Sequence, residues 1–400
     1  MARLLEHDAL RILSEHGVTV PDFAVVGSAE EAAAATTRFG GVSVIKALVP
    51  SGGRGRAGAV RVARSANEAR TIAADLLGRE VLGFQVDRVM VIRLIEAEWE
   101  VFVAFEADEV DGMPSLVASA LGGIDLSEVR ERDPSTLIRR KLERATGMPD
   151  YLAREVAEDL GFGATESSAF VPVLRAMYDT FVSCEGTLLE INPLMVTADR
   201  SIVVPTAVLV IDELSLNRHP KLHELLDPEA TNAGRVRTVL ERAMLAIDRR
   251  HGGPPLWFVE HDGDVALIVS GAGARNYALD VLHRANKKPA AILDVGRDQL
   301  LNKVREATAA VAARPGLRGI AACGEIDDFA PVDVQVGAFL QGLVDAGVDP
   351  SKTPVMMRFD GARIAEARAI AGGLPDVEFY DAETPLEIAI GRLVARAEAA

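Results

Sequence analysis

Four hundred residues exceed what one ordinary core supports, and a 49% hydrophobic composition suits packed domains rather than a disordered chain. A formal net charge of −16 argues against general nucleic-acid binding, which wants a basic face, while a local basic loop in an acidic protein still holds a small anion. Only two cysteines occur, Cys184 and Cys323, so a disulfide framework and a cysteine zinc site are both excluded.

A first helix is expected over His7 to Glu15, with Leu4, Leu5, Leu10, Ile12 and Leu13 apolar and Gly17 as the stop. Val18 to Val26 alternates as a strand around Pro21. Ser28 followed by Glu31 then opens a second helix with a capping-box pattern, which Gly40-Gly41 ends. Val42 to Val49 is an apolar strand carrying Lys46, and it runs straight into Gly52-Gly-Arg-Gly-Arg56. Strand side chains alternate between faces, so Lys46 has a fixed direction. Glycines let backbone N–H groups approach an anion, and the two arginines add charge. A triphosphate needs such a grip, with Lys46 as a point charge and Arg54 closing over it. The competing reading is a solvated turn after an edge strand. The loop has neither the GxxxxGK[ST] pattern nor a dinucleotide fingerprint.

Gly58 to Ala63 is another strand, and Ser65 with Glu68 caps a helix to about Leu77. Strands follow at Val89 to Ile95, Glu100 to Phe105 and Leu116 to Ser119. Leu137 to Leu160 is charged and helical, and Glu166 to Val182 is a longer amphipathic helix. Thr187 to Thr197 reads as strand, sharp turn and strand. Alternation puts Glu190 and Asn192 on one face, and Pro193 takes the chain off the ladder. Two converging oxygen side chains suit a Mg²⁺ that keeps several waters, and an Asn-Pro turn closing a hairpin explains them equally well. Ile202 to Ile211 is a near-continuous apolar strand. Residues 1–235 thus form an α+β region.

Residues 213–255 are polar and helical, and residues 236–256 are set apart as a connector. Trp257 to Val269 then carries a hairpin signal around Asp262-Gly263. Strands at Val265 to Val269, Ala290 to Asp294, Gly319 to Cys323, Val355 to Phe359 and Val377 to Tyr380 alternate with helices, the last over Leu386 to Glu398. That is the pattern of an α/β domain with a parallel, doubly wound sheet, whose ligands sit at the C-terminal strand ends. There Ser270-Gly-Ala-Gly273, Asp294-Val-Gly-Arg297 and Cys323-Gly-Glu-Ile-Asp-Asp328 each start a helix, and free helix N–H groups attract anions. Such glycine turns are also ordinary βα connections. Carboxylates at Glu325, Asp327 and Asp328 stabilise a helix start but repel a phosphate, so simple capping is favoured for Asp327 and Asp328.

Seven scattered histidines without an HExxH pair read as structural or solvated. No apolar run reaches about 18 residues, so no membrane span is expected. The N-terminus is acidic early, unlike a signal peptide, and the expected location is cytoplasmic.

With those residues in place, the chain resembles the β subunit of succinyl-CoA synthetase, the ADP- or GDP-forming acyl-CoA synthetases, from Glu6-His7 to the final helix. Val44-Ile-Lys46 to Gly58, Glu190-Ile-Asn-Pro-Leu194, Gly271-Ala-Gly273 and Leu293-Asp-Val-Gly296 carry the likeness. It implies a two-lobed ATP-grasp region over 1–235 and a flavodoxin-like CoA-ligase domain over 257–400. It also implies an α-like partner subunit. In the family a histidine of that partner takes phosphate from ATP (or GTP), with Mg²⁺, and passes it to a carboxylic acid. CoA then attacks the acyl phosphate. No catalytic histidine is therefore expected in this chain, and no catalytic residue is assigned. By resemblance Lys46, Gly53, Arg54, Gly55 and Glu100 contact the nucleotide, Ile92 and Ile95 fall at the adenine hinge, and Asn192 ligates Mg²⁺. Ser270, Glu325, Ile326 and Asp327 fall at substrate and phosphate positions.

The sequence departs from the family pattern at several of these places. Thr206, in Pro205-Thr-Ala-Val208, stands where the family has a metal-ligating aspartate, and a neutral hydroxyl is a poorer magnesium ligand. Ser270 replaces an asparagine, Glu325 enters a Gly-Gly-Ile cradle, and Ala120-Leu-Gly-Gly123 replaces Thr-Glu-Gly-Gly. Arg297, also new, would offset the Glu325 charge if it paired with Glu325 or with a substrate carboxylate. The leading expectation is an ATP-dependent carboxylate–CoA ligase subunit acting on an acid other than succinate. The alternatives are a non-catalytic or regulatory ATP-grasp paralogue and an ATP-grasp ligase that forms an acyl phosphate for another nucleophile.

Overall fold

The computed structural model describes residues 2–108, 110, 112–124, 128, 136–226, 235–296, 300–327 and 331–399, with Asn217 and residues 325–327 described by backbone alone. The chain divides into two compact units, Met1–Val236 and Arg237–Ala400.

In the first unit, a four-stranded antiparallel sheet runs in the order Phe23–Val26, Val89–Arg93, Ser43–Ala47, Val60–Ala63. Ile45 and Ala47 point into a core shared with Val89, Val91 and the alanines of two helices, Ala29–Arg38 and Ala66–Leu76. Lys46, between them, faces the other way. Both helices start as the sequence indicates: Ser28 and Ser65 accept hydrogen bonds from the N–H groups of Glu31 and Glu68. The glutamate carboxylates reach back to Gly27 and Arg64, one residue before each cap.

The larger sheet of this unit runs Ala2–Arg3, Val208–Ile211, Gly186–Val196, Trp99–Ala107, Pro114–Ser119, Ile138–Lys141, with Ile202–Val203 paired to Gly186–Val196. Leu10 and Leu13 of the helix Glu6–Glu15, and Phe170, Leu174 and Met177 of the helix Ala164–Ser183, share one core with Phe105, Leu189 and Ile191. Three expectations are corrected here. Gly186–Val196 is one strand rather than two: the register moves from Ile191↔Val103 to Leu194↔Val101, so a bulge at Asn192-Pro193 absorbs the missing proline donor without a turn. Conversely, Ile202–Ile211 is broken over Val204–Ala207, where Pro205 has no N–H to give a ladder. The stretch expected to be helical from Leu137 to Leu160 begins as an edge strand, Ile138–Lys141, and only Asp150–Asp159 is helix.

The second unit holds a six-stranded sheet in the order Trp257–Glu260, Pro289–Asp294, Val265–Ser270, Gly319–Asp327, Val355–Gly361, Val377–Tyr380. All its pairings are parallel except the first. Alternation along one strand feeds both faces: Ala266 and Ile268 enter one core, Val265, Leu267 and Val269 the other. That is the flavodoxin-like, doubly wound arrangement the strand pattern calls for. The Asp262-Gly263 turn does not close a hairpin, because Trp257–Glu260 pairs with Pro289–Asp294 instead. Gly263 packs on the chain at Lys288, whose carbonyl oxygen lies 2.0 Å from where a Cβ would sit. The helix Val239–His251, capped by a Thr238–Glu241 box, sends Met244 and Ile247 into this unit's core. The strand Gly319–Asp327 carries Glu325, Ile326 and Asp327, so they do not start a helix. The next helix begins at Val332. Arg297 and Asp328 lie outside the described residues. Among the described residues, no helix is long and apolar enough to cross a membrane.

Candidate functional site

Lys46 leaves the face of its strand opposite Ile45 and Ala47, is itself buried, and meets the first turn of the helix Glu6–Glu15. Its Nζ donates to Glu6 Oε1 at 2.7 Å and to the Pro205 carbonyl at 3.0 Å. Arg54 folds back from the glycine loop onto the same carboxylate, with Nη2 donating to Glu6 Oε2 at 2.5 Å and Nη1 to the Ala47 carbonyl at 3.1 Å. The Glu6 side chain is only 2% exposed, against 9% for Lys46 and 12% for Arg54. Burial opposes the charge on Glu6, but Arg54 and Lys46, with hydrogen bonds from Lys46 and Thr206, outweigh it and hold the carboxyl down at about 2. Burial pulls Lys46 below the usual lysine range, and Glu6 opposes that pull. With the carboxylate held by two cations and a hydroxyl, we take both Glu6 and Lys46 as charged. Arg3 adds a third cation: Arg54 repels it, Glu190 and Glu6 attract it, and its guanidinium lies 3.7 Å from the Cβ position of Gly52.

Lys46 and Arg54 thus meet on one carboxylate, Glu6, which the sequence reading missed, with Thr206 beside it in a role other than the metal position expected for it. Glu6 falls just before the expected helix His7 to Glu15, whereas the helix begins at Glu6 itself. Its spacing to Leu10 and Leu13, four and seven residues on, places it on the buried face of that helix, and that was the available signal. A buried acid between basic segments must have partners. Thr206 sits in the break before Val208–Ile211, and its hydroxyl serves Glu6. Gly53, at φ 77°, supplies the left-handed turn that lets Arg54 double back.

Asn192 lies on the half-buried face of its strand, opposite Ile191, and its amide is engaged. Oδ1 accepts from Gly123 N–H at 2.8 Å and Nδ2 donates to the Ile124 carbonyl at 2.8 Å. The Gly122 N–H in turn donates to the Glu100 carbonyl, and an added Cβ on Gly123 would meet Glu100 Oε2 at 2.6 Å. Glu100, Asn192 and the Gly122-Gly123 turn thus form one connected group. Ile92 is 1% exposed and packs in the core, so its side chain does not line a binding surface. Ile95 falls beyond the end of the strand Val89–Arg93. Among the described residues, no group of three or more His, Cys, Asp or Glu is placed to hold a metal. Asn192 and Thr206 offer only neutral, already bonded groups, so a resident all-protein magnesium site does not fit them.

In the second unit, the Ser270 hydroxyl donates to the Gly296 carbonyl at 3.0 Å. Buried Asp294 accepts from Gly271 N–H at 3.2 Å and Gly296 N–H at 2.9 Å, tying two strand ends together. Arg275 reaches Asp294 Oδ2 at 3.3 Å, with its guanidinium 4.1 Å from the Trp257 ring centre. An internal carboxylate therefore takes one of the amides expected to cradle an anion at Gly271. Gly324 packs under Phe359, 3.1 Å from a Cβ position, and its carbonyl receives Arg358.

Residues 3–196 match the ATP-grasp domain family. The chain is 31% identical to the β subunit of ADP-forming succinate–CoA ligase from Halorubrum lacusprofundi over 305 residues, 76% of this chain and 77% of that one. It is 30% identical to the corresponding subunit of Rubrobacter xylanophilus over 390 residues, 96% of each. A solved ATP citrate lyase from Methanothrix soehngenii, in complex with citrate and coenzyme A, has the same fold at TM-score 0.74 and 17% identity, covering 98% of this chain and 99% of that one.

Proposed function

The chain belongs to the β-subunit family of ADP-forming succinate–CoA ligases, and on that premise we propose that it is the nucleotide-binding subunit of an ATP-dependent acyl-CoA synthetase, working with an α-like subunit. ATP-grasp CoA ligases use a nucleotide, Mg²⁺ and CoA. The observation that carries the reading is the convergence of Lys46 and Arg54 on one buried anion position. Both are cations whose chemistry fits phosphate oxygens, Lys46 fixed by its strand and Arg54 carried on a glycine loop. In this reading Glu100, held against the Gly122-Gly123 turn, is the acidic contact to the nucleotide. Magnesium would come with the phosphate chain, keeping its waters and meeting Asn192 at most as a neutral ligand.

In this reading the α-like subunit contributes the histidine that carries the phosphoryl group, and the second unit offers its strand ends at Ser270 and Gly324 to that group and to the acid. The acid is a small carboxylic acid other than succinate, and ATP or GTP serves as nucleotide. The test is to incubate the chain with a co-expressed α-like subunit, ATP or GTP, Mg²⁺, CoA and a panel of acids. Acid-dependent nucleoside diphosphate release with acyl-CoA formation is expected. Failure of every acid, with no phosphohistidine on the partner, overturns the proposal. One observation favours a second reading, a regulatory paralogue: Thr206 and Asn192 are both occupied by protein partners. That reading requires nucleotide binding without turnover in the same assay.

A further inference from the structure

We infer that Glu6 is an internal anion of the nucleotide site: it holds the phosphate position between Lys46 and Arg54, and nucleotide must take Arg54 from it. The inference rests on the proposed nucleotide-binding role and adds the residue that sets its affinity. A carboxylate and a phosphate oxygen are the same kind of acceptor for a lysine and an arginine. Glu6 uses both of its oxygens here, one on each cation, at 2.7 and 2.5 Å. Two of the three Lys46 protons are directed at Glu6 and Pro205, and both terminal nitrogens of Arg54 have protein acceptors. A phosphate arriving at this buried pair therefore meets cations already hydrogen-bonded and half offset in charge, beside a carboxylate that repels it.

The two cations are carried by different kinds of backbone, and that singles out the one to be released. Lys46 is fixed on the strand Ser43–Ala47, while Arg54 rides in a compact loop closed by its own turns, Ala57 N–H to Gly53 O and Gly58 N–H to Gly55 O. In the inferred exchange the Arg54 side chain leaves Glu6 and the Ala47 carbonyl for the phosphate while Lys46 keeps its place on the strand. Glu6 stays, anchored by its helix and by the Thr206 hydroxyl. Thr206 therefore strengthens the hold on the internal anion.

The experiment titrates the full-length chain with sodium tripolyphosphate and with ATP, without Mg²⁺, by isothermal calorimetry. In Glu6→Gln the charge is lost and the shape kept, so tripolyphosphate should bind about tenfold tighter. Thr206→Val keeps the charge but loosens it, so a gain of about threefold is expected. Circular dichroism establishes that each variant is folded, and if Glu6→Gln does not fold, Thr206→Val decides alone. Equal or weaker binding by the folded variants overturns the inference, because Glu6 would then position the cations. If the wild-type chain binds nucleotide and supports acyl-CoA formation while the variants gain nothing, only the inference fails. If the variants gain tripolyphosphate affinity but no acid gives acyl-CoA, only the proposed function fails.

Discussion

Glu6 answers two cations from a position with almost no access to water, and such a triad is worth more broken than whole as a probe. Removing one partner strands the others, which typically costs about 3–5 kcal/mol for a buried pair. Lys46→Met should therefore destabilise the chain by about that much in urea and abolish nucleotide binding, whereas a solvated lysine would show neither effect. Acid titration adds a sign. The folded pKa of Glu6, about 2, lies below its ordinary 4.5, so the unfolded chain takes up the proton first. The stabilisation, about 3 kcal/mol, is complete above pH 4.5 and lost as pH falls toward 2. His7 acts in an earlier window. Burial, then Arg11 and Arg88, lower it from 6.5 to about 4, so stability falls as pH drops from 6.5 to 4. The 3.3 Å approach of His7 to Asp8 is therefore a contact of a neutral ring, consistent with an Asp8 carboxyl that burial raises. Urea midpoints between pH 7 and 4 should decline in the wild type and stay flatter in His7→Gln. An unchanged slope in that variant would remove His7 from the account.

At the scale of elements, the sites were legible wherever a local rule decides the conformation. Ser28 and Ser65 cap helices, Lys46 points away from Ile45 and Ala47, and the parallel strands carry continuous apolar runs. What escaped the sequence was decided by a partner far along the chain. Asn192-Pro193 suggests a turn locally, but Trp99–Ala107 holds the strand on both sides and reduces the proline to a bulge. Asp262-Gly263 suggests a hairpin until Pro289–Asp294 claims the first strand. The turn at Gly122-Gly123 shows the same dependence and supports a prediction. An ideal Cβ on Gly122 would lie 2.5 Å from the backbone at Glu100 and Val101, with no flexible side chain to yield. Gly122→Ala should cost about 1–3 kcal/mol by overpacking and should weaken ATP binding by displacing Glu100. Asn192→Ala, which leaves the Gly123 N–H and Ile124 carbonyl to water, should cost only the net value of the two hydrogen bonds, about 1–2 kcal/mol. Denaturant midpoints together with ATP titrations check both, and wild-type nucleotide affinity in folded Gly122→Ala would dissociate this turn from the site.

On the scale of the whole molecule, each unit has its own cores, built on its own sheets, and the chemistry divides the same way. The first unit, residues 1–236, holds the cations at Lys46 and Arg54. The second, residues 237–400, holds the strand ends at Ser270, Asp294 and Gly324. A ligand stabilises what it binds in proportion to RT ln(1 + [L]/Kd), about 2.7 kcal/mol at a hundred times Kd. For a unit of this size, that free energy corresponds to roughly 5–10 °C in Tm. Scanning calorimetry with saturating ATP should therefore resolve the division: the transition belonging to residues 1–236 moves up by about that much and the other stays in place. Assignment of the transitions follows from Lys46→Met, which should lower the first and abolish its response to ATP. If ATP shifts the second transition alone, the nucleotide is bound at the strand ends of the doubly wound sheet rather than at Lys46. In that case the internal anion Glu6 is a structural pair only, and the phosphate grip must be sought among Ser270, Gly271 and Arg275.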